Sequence, residues 1–316
     1  MNLWLHIGSP KTGSSSIQDL LFANRKTLSK SGLGYLTPGP QQASANRLAA
    51  AIGGRNKHDP VKVADACFAR AGQAALTDLI LSSEEFYLED PVKVAEILAP
   101  HATAHDAQVH IVLYLRRQDL FVDSFYSQRR KTGRFRGSLR DFILSLASRE
   151  LNYAAIVQMW RAAFPQAVVH LRRFERPRFP NGDLVSDFMQ AIGHPGLEDT
   201  CERPQSLNPS PNRDVIALMD MLADTGRFNT TRIYRLMERQ GLPDTGARKS
   251  FVEDATRTTL LNHYAKGNEA LRAAFFPDED SLFDMTGPTP DTRPETTFTP
   301  EQISLLKGLI GAISKA

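Results

Sequence analysis

Lys11 stands inside the run Gly8-Ser9-Pro10-Lys11-Thr12-Gly13-Ser14-Ser15-Ser16, whose glycines, hydroxyls and cation suit a phosphate-sized anion. Glycine lets backbone approach such a group closely, and a helix N-terminus offers N–H donors with partial positive charge. A second candidate pair is Arg116 and Ser124, with seven residues between them. An arginine can give paired N–H donors, and a serine its hydroxyl, to one phosphate. The third is the carboxylate pair Glu84-Glu85, chemically able to take a proton from an attacking hydroxyl.

These residues need elements to place them. Leu3 to Ile7 reads as a strand that breaks into the loop, and Ile17, Leu20 and Leu21 at i, i+3 and i+4 predict the helix behind it. Leu79-Ile80-Leu81 predicts a strand ending at Ser82-Ser83-Glu84-Glu85, which sets both carboxylates at the sheet edge where α/β proteins bind ligands. Val109 to Leu115 is almost wholly apolar, as a buried parallel strand should be, and runs into Arg116-Arg117. The helix expected over 119–131 carries Ser124 near its second turn, and Val168 to Leu171 reads as a fourth strand. Further helices are expected over 43–52, 61–75, 92–98, 151–164 and 183–192, whereas Gly32 to Tyr35 and Thr37 to Pro40 read as loop. Strand and helix in alternation specify an α/β fold, a mostly parallel central sheet flanked by helices.

Past Cys201 the alternation ends. Residues 1–200 read as the α/β core and 201–316 as a helical C-terminal extension packed on it. Within the extension, helices are expected from Ser210-Pro211 and over 227–240, 250–265 and 269–276. A proline- and threonine-rich loop comes next at 287–297, and a capping box at Thr299-Pro300-Glu301-Gln302 opens a last helix.

The loop differs from the nucleotide-kinase P-loop, in which lysine comes after the second glycine; here Ser14 holds that place. Its order, Pro10-Lys11-Thr12-Gly13-Ser14-Ser15, resembles the 5′-phosphosulfate loop of sulfotransferases, and strand-Arg116-x7-Ser124 resembles the pattern with which they hold a 3′-phosphate. With Leu81-Ser82-Ser83-Glu84, Leu151-Asn152-Tyr153-Ala154 and Trp160, and Arg173-Phe174-Glu175 leading to Asp187-Phe188, roughly the first 195 residues are similar to bacterial carbohydrate-type sulfotransferases. The resemblance implies a P-loop-like fold, 3′-phosphoadenosine 5′-phosphosulfate (PAPS) as donor and adenosine 3′,5′-bisphosphate (PAP) as product. It further implies transfer to a hydroxyl of a carbohydrate, polysaccharide or lipid-linked acceptor. On that reading Ser9, Lys11, Thr12, Gly13, Ser14, Ser15, Ser16, Arg116 and Ser124 bind the donor, and Lys11 also neutralises the leaving oxygen. Glu84 is the first candidate for the base, with Glu85 and His58 after it. Related enzymes often carry a histidine in the helix where this chain has Asn46-Arg47, and His6 reads as a structural residue at a strand end.

Composition sets the remaining bounds. A chain of 316 residues with 41% hydrophobic content can bury a sizeable core, and a net charge of +3 is too small to argue for nucleic acid. Cys67 and Cys201 have no Cys or His neighbours at metal-ligand spacing, so they read as reduced thiols of a cytoplasmic protein without a metal. No stretch reaches transmembrane length. The basic residues Arg129, Arg130, Lys131, Arg134, Arg136 and Arg140 read as a solvated face, or as an attractor for an anionic acceptor. Two other readings compete: a small-molecule kinase using ATP and magnesium, and a nucleotide- or polyanion-binding protein without turnover.

Overall fold

The structure is a computed structural model that describes residues 1–69, 71, 76–146, 148–204, 216, 234 and 250–286. Its strands are β1 (Asn2–His6), β2 (Leu33–Leu36), β3 (Asp78–Ser82), β4 (Gln108–Leu115) and β5 (Val168–Arg173). Among the described residues they form one sheet in the order β2-β3-β1-β4-β5, and every pairing is parallel. β1 lies at the centre, with His6 opposite Ser82 of β3 and Val112 of β4.

The helices are α1 (Ser14–Ala23), α2 (Arg25–Lys30), α3 (Asn46–Ile52), α4 (Pro60–Phe68), α5 (Pro91–Ala104), α6 (Gln118–Lys131), α7 (Leu139–Ser145), α8 (Ser148–Leu151), α9 (Tyr153–Ala163), α10 (Leu184–Ala191) and α11 (Asp254–Phe275). Side chains alternate across a strand, so β1 divides its residues between two cores. Leu3, Leu5 and Ile7 join Leu81, Ile111 and Leu113 under α3, α4, α5 and α9, where Leu48, Cys67, Leu98 and Trp160 are buried. Trp4 joins Ile80, Val112 and Tyr114 on the other face, against Ile17, Leu20 and Leu21 of α1 and Phe188 and Met189 of α10.

Several expectations need correction. Leu33–Leu36 is an edge strand, not loop. Glycine hid it, yet glycine is required, because a Cβ at Gly34 would lie 2.7 Å from Leu76 Cδ1 and 3.1 Å from Leu79 Cδ2. Helix α4 closes at Phe68, short of the expected 75, and α5 runs on to Ala104 with Pro100 inside it. Helix α7 was not anticipated; Ser138 and Asp141 cap it reciprocally. The two helices expected over 250–276 are one, Asp254–Phe275, because Gly267 does not interrupt it. The helices expected from Ser210 and over 227–240, the loop at 287–297 and the last helix lie outside the described residues.

The chain divides into two compact units: residues 1–117, 148–206 and 265–284, which include the sheet, and residues 118–147, 207–264 and 285–316. In the second unit, Asp123 accepts from the backbone N–H of Phe251 at 2.6 Å and from Ser250 Oγ at 3.1 Å, and Arg257 pairs with Asp119 at 3.0 Å. Part of the basic run is packed on rings there, with Arg129 over Phe125, Arg130 over Tyr126 and Lys131 over Tyr234. Arg134, Arg136 and Arg140 are exposed. Among the described residues no helix is long and apolar enough to cross a membrane.

The N-terminal ends of the central strands hold a histidine cluster. Trp4 donates Nε1–H to Asp78 at 2.8 Å and stacks on His110, whose Nδ1 lies 2.9 Å from His170 Nε2. Burial lowers the pKa of both His110 and His170, and it lowers that of His6, near the other end of β1, to about 4. A histidine whose folded pKa lies below its unfolded value takes up a proton more readily when unfolded. Its contribution is therefore full above about pH 6.5 and is lost as pH falls. The thermal midpoint should drop steadily from pH 7 to pH 5, with His6 alone removing about 2 kcal/mol at pH 5. Asp183 and Glu279, both lowered to about 2, act in the opposite charge sense and weaken the fold only below the usual carboxylate range. A midpoint unchanged between pH 7 and pH 5 would contradict this account.

Candidate active site

The loop after β1 is shaped by three left-handed residues, Gly8 at φ +26°, Lys11 at +68° and Gly13 at +75°. Side-chain hydroxyls and one guanidinium then hold it. Ser9 Oγ donates to the Tyr114 carbonyl at 2.9 Å, Thr12 Oγ1 donates to the Ser9 carbonyl at 2.7 Å, and Arg116 Nη1 donates to the Lys11 carbonyl at 2.9 Å. The first two hydroxyl protons are thus committed to the loop itself. Lysine in a left-handed conformation is strained by about 1 kcal/mol, and the Arg116 bond to its carbonyl helps hold it there.

Gly13 caps α1 through its backbone alone, so Ser14, Ser15 and Ser16 form the helix's first turn without a side-chain cap. Such a turn leaves N–H groups for an anion. Ser14 is buried, Ser16 half-buried and Ser15 exposed. Two atoms here have no hydrogen-bond partner among the described residues, Ser14 Oγ and His6 Nε2. Both border the side of Gly8 that lacks a side chain: a Cβ there would lie 2.7 Å from Ser14 Oγ and 3.3 Å from His6 Nε2.

The carboxylates come directly after β3. Ser83 ends the strand by accepting from the Glu85 N–H at 3.1 Å, and its own hydroxyl donates to Asn46 Oδ1 at 2.7 Å. Glu84 is half-buried; burial raises its pKa, and the nearby Lys11 cation offsets part of that rise. Glu85 makes an ion pair with Arg55 at 3.0 Å, and Arg55 also pairs with Glu89. Lys11, Glu84 and Arg116 are therefore gathered around one loop, while His58 is exposed and turned into its own local turn with Asn56. Ser124 is buried on α6, in the second unit.

Two contributors went unassigned in the sequence. Phe174, the residue after β5, places its ring 5.6 Å from the Arg116 guanidinium and beside Gly13, and Tyr153 donates to the Arg116 carbonyl at 2.6 Å. An aromatic directly after a strand was the available signal for Phe174. Tyr153 stands in the phrase Leu151-Asn152-Tyr153-Ala154 that carries the resemblance, but no local pattern showed that it reaches Arg116, 37 positions upstream.

The loop fits a phosphate or phosphosulfate group: a helix start without a side-chain cap, a cation, and two buried polar atoms whose hydrogen-bonding capacity is unused. Among the described residues no group of three or more His, Cys, Asp or Glu is gathered as for a metal ion.

Comparison with known proteins agrees on the fold. No family model matches the chain. An uncharacterized protein of Archaeoglobus fulgidus is 26% identical over 206 residues, 63% of this chain and 54% of that protein, so the chain spans about half the length of this relative. A sulfotransferase from Alicyclobacillus acidocaldarius, of known crystal structure, is similar with a TM-score of 0.51 at 15% identity, over 89% of this chain and 98% of the other. The five-stranded parallel sheet with its flanking helices is the fold of that sulfotransferase.

Gly13 offers a direct check of how tightly the loop is seated. A Cβ there would stand 2.4 Å from Leu184 Cδ2 and 3.3 Å from Phe174, in a left-handed backbone, whereas Gly182 is left-handed with open space around it. Gly182→Ala should cost about 1 kcal/mol, and Gly13→Ala about 1–2 kcal/mol more, as read by chemical denaturation. Equal losses would mean that Gly13 serves only the turn.

Proposed function

We propose that the protein is a sulfotransferase that takes a sulfuryl group from PAPS and passes it to a hydroxyl of a carbohydrate or lipid-linked acceptor. The observation that carries this reading is the meeting of the loop cation Lys11 with a half-buried carboxylate of raised pKa, Glu84, at the strand ends of a parallel sheet. When bound, such a donor supplies an electrophilic sulfur: the acceptor oxygen bonds to it as the bond from sulfur to the phosphate oxygen breaks, and the hydroxyl proton leaves. The fold of the Alicyclobacillus sulfotransferase supports the same assignment.

Each residue then has a task. The Gly8 to Ser16 loop binds the 5′ group through the first turn of α1. Lys11 neutralises charge that grows on the leaving phosphate oxygen, help typically worth about 3 kcal/mol. Glu84 receives the acceptor proton; its raised pKa suits a base, and a positioned base contributes roughly a hundred- to ten-thousandfold. Glu85, paired with Arg55 at 3.0 Å, is the second candidate for the base. Arg116 braces the loop through the Lys11 carbonyl and is the residue to which we assign recognition of the 3′-phosphate.

Titration calorimetry of PAP and AMP tests the donor. One or two charge-assisted hydrogen bonds to the 3′-phosphate should favour PAP by roughly ten- to a thousandfold. Arg116→Ala should weaken both ligands, because the loop loses its brace, and PAP the more. No preference for PAP in the wild type, or tighter binding of ATP with magnesium, would sink the reading.

The base is tested by turnover. Glu84→Gln should bind PAP as the wild type does, yet release it from PAPS at least a hundredfold more slowly with a panel of carbohydrate acceptors. The acidic limb of the wild-type rate profile should lie above the ordinary carboxylate range. Full activity in this variant, with loss in Glu85→Gln, would move the role to the neighbour.

A further inference from the structure

We infer that Asn46 is a positioning residue for the base: it holds Ser83, and Ser83 holds the turn that presents Glu84. The inference rests on the assignment of Glu84 above and adds to it a residue of α3. The backbone before Glu84 is tied on both sides. The Ser83 N–H donates to the His6 carbonyl at 3.0 Å, and the Ala45 N–H donates to the Ser82 carbonyl at 2.8 Å. The first tie joins the turn to the end of β1, and the second sets the start of α3 against it.

One hydroxyl links the two. Ser83 is 0% exposed, and its Oγ accepts from the Glu85 N–H at 3.1 Å, the cap that opens the helical turn Glu84–Leu88. Its proton goes to Asn46 Oδ1 at 2.7 Å. Asparagine is among the strongest helix-capping residues, yet α3 has no side-chain cap: Asn46 stands one place past Ala45, the cap position, and gives its oxygen to Ser83. The side chain serves the turn and not its own helix. Without that oxygen the Ser83 proton would be buried with no acceptor, and a hydroxyl that rotates to find one gives up the Glu85 N–H. Glu84 lies between Ser83 and Glu85, so a loosened cap releases it from the half-buried place, beside Lys11 and Glu85, where burial raises its pKa.

Carbon-13 spectra of the Glu84 carboxylate, followed through a pH titration of the full chain, test this without an acceptor. Asn46→Ala should move the Glu84 midpoint down toward the ordinary carboxylate value, because burial is the largest cause of its rise. Asn46→Asp keeps an oxygen for Ser83 and adds a negative charge, so its midpoint should stay at or above that of the wild type. Turnover of PAPS with the same carbohydrate panel should fall about tenfold or more in Asn46→Ala and recover in Asn46→Asp above its own midpoint, with PAP affinity unchanged in both. Ser83→Ala should cost at least as much as Asn46→Ala, and the double variant no more than Ser83→Ala alone. A wild-type midpoint in folded Asn46→Ala, a loss that Asn46→Asp does not repair, or additive losses in the double variant would overturn the role of Asn46 and leave Glu84 as the base. Full turnover in Glu84→Gln would overturn both.

Discussion

The site exists because β1 is paired in parallel with β3 and β4 at once. Parallel pairing brings the C-terminal ends of three strands to one edge, so the segments leaving those strands are held close to one another. His6 stands opposite Ser82 and Val112, and the chain leaves these strands as the Gly8 loop, the Ser83-Glu84-Glu85 turn and Arg116. A slip of one residue in β1 would send His6 and Trp4 into the face now filled by Leu3, Leu5 and Ile7, and would unmake both cores together.

On that edge, polar groups divide into those that hold the loop and those without a partner among the described residues. Ser9, Thr12 and one nitrogen of Arg116 spend hydrogen bonds on backbone carbonyls of the loop or of β4. Ser14 Oγ and His6 Nε2 spend none among the described residues. A loop with left-handed residues at Gly8, Lys11 and Gly13 would be poorly determined by its own local preferences, and it is the ties to Tyr114 and Arg116 that select one conformation. Preorganisation of this kind lowers the cost of binding a compact anion, since the ordering is complete before the ligand arrives.

The carboxylates illustrate how neighbours assign roles to like residues. Glu84 and Glu85 are adjacent and chemically the same, yet Arg55 engages Glu85, whereas Glu84 is half-buried beside Lys11. Burial disfavours the charged form of Glu84, and the lysine restores part of the balance, which leaves a carboxylate with a raised proton affinity. The same logic holds at His6, where burial without a charged partner keeps the ring neutral.

The sequence by itself determined the α/β class, the strand, loop and first helix from Asn2 to Ala23, the apolar strand before Arg116 and the turn that presents Glu84. Those features are written in hydrophobic runs and breaker residues over fewer than about ten positions, the range at which periodicity is readable. Only the tertiary structure decided the rest. Gly32 to Tyr35 looked like loop because glycine suits one, and became an edge strand because the close approach of Leu76 and Leu79 admits nothing larger at Gly34. His6 reads as a structural residue, and the structure buries it against Phe188 and Tyr114 with Nδ1 on Ser82, partners that alternation along a strand does not name. Phe174 and Tyr153 reach Arg116 only after β5 and α9 have packed. Contacts between residues tens of positions apart arise from packing, which no local pattern encodes.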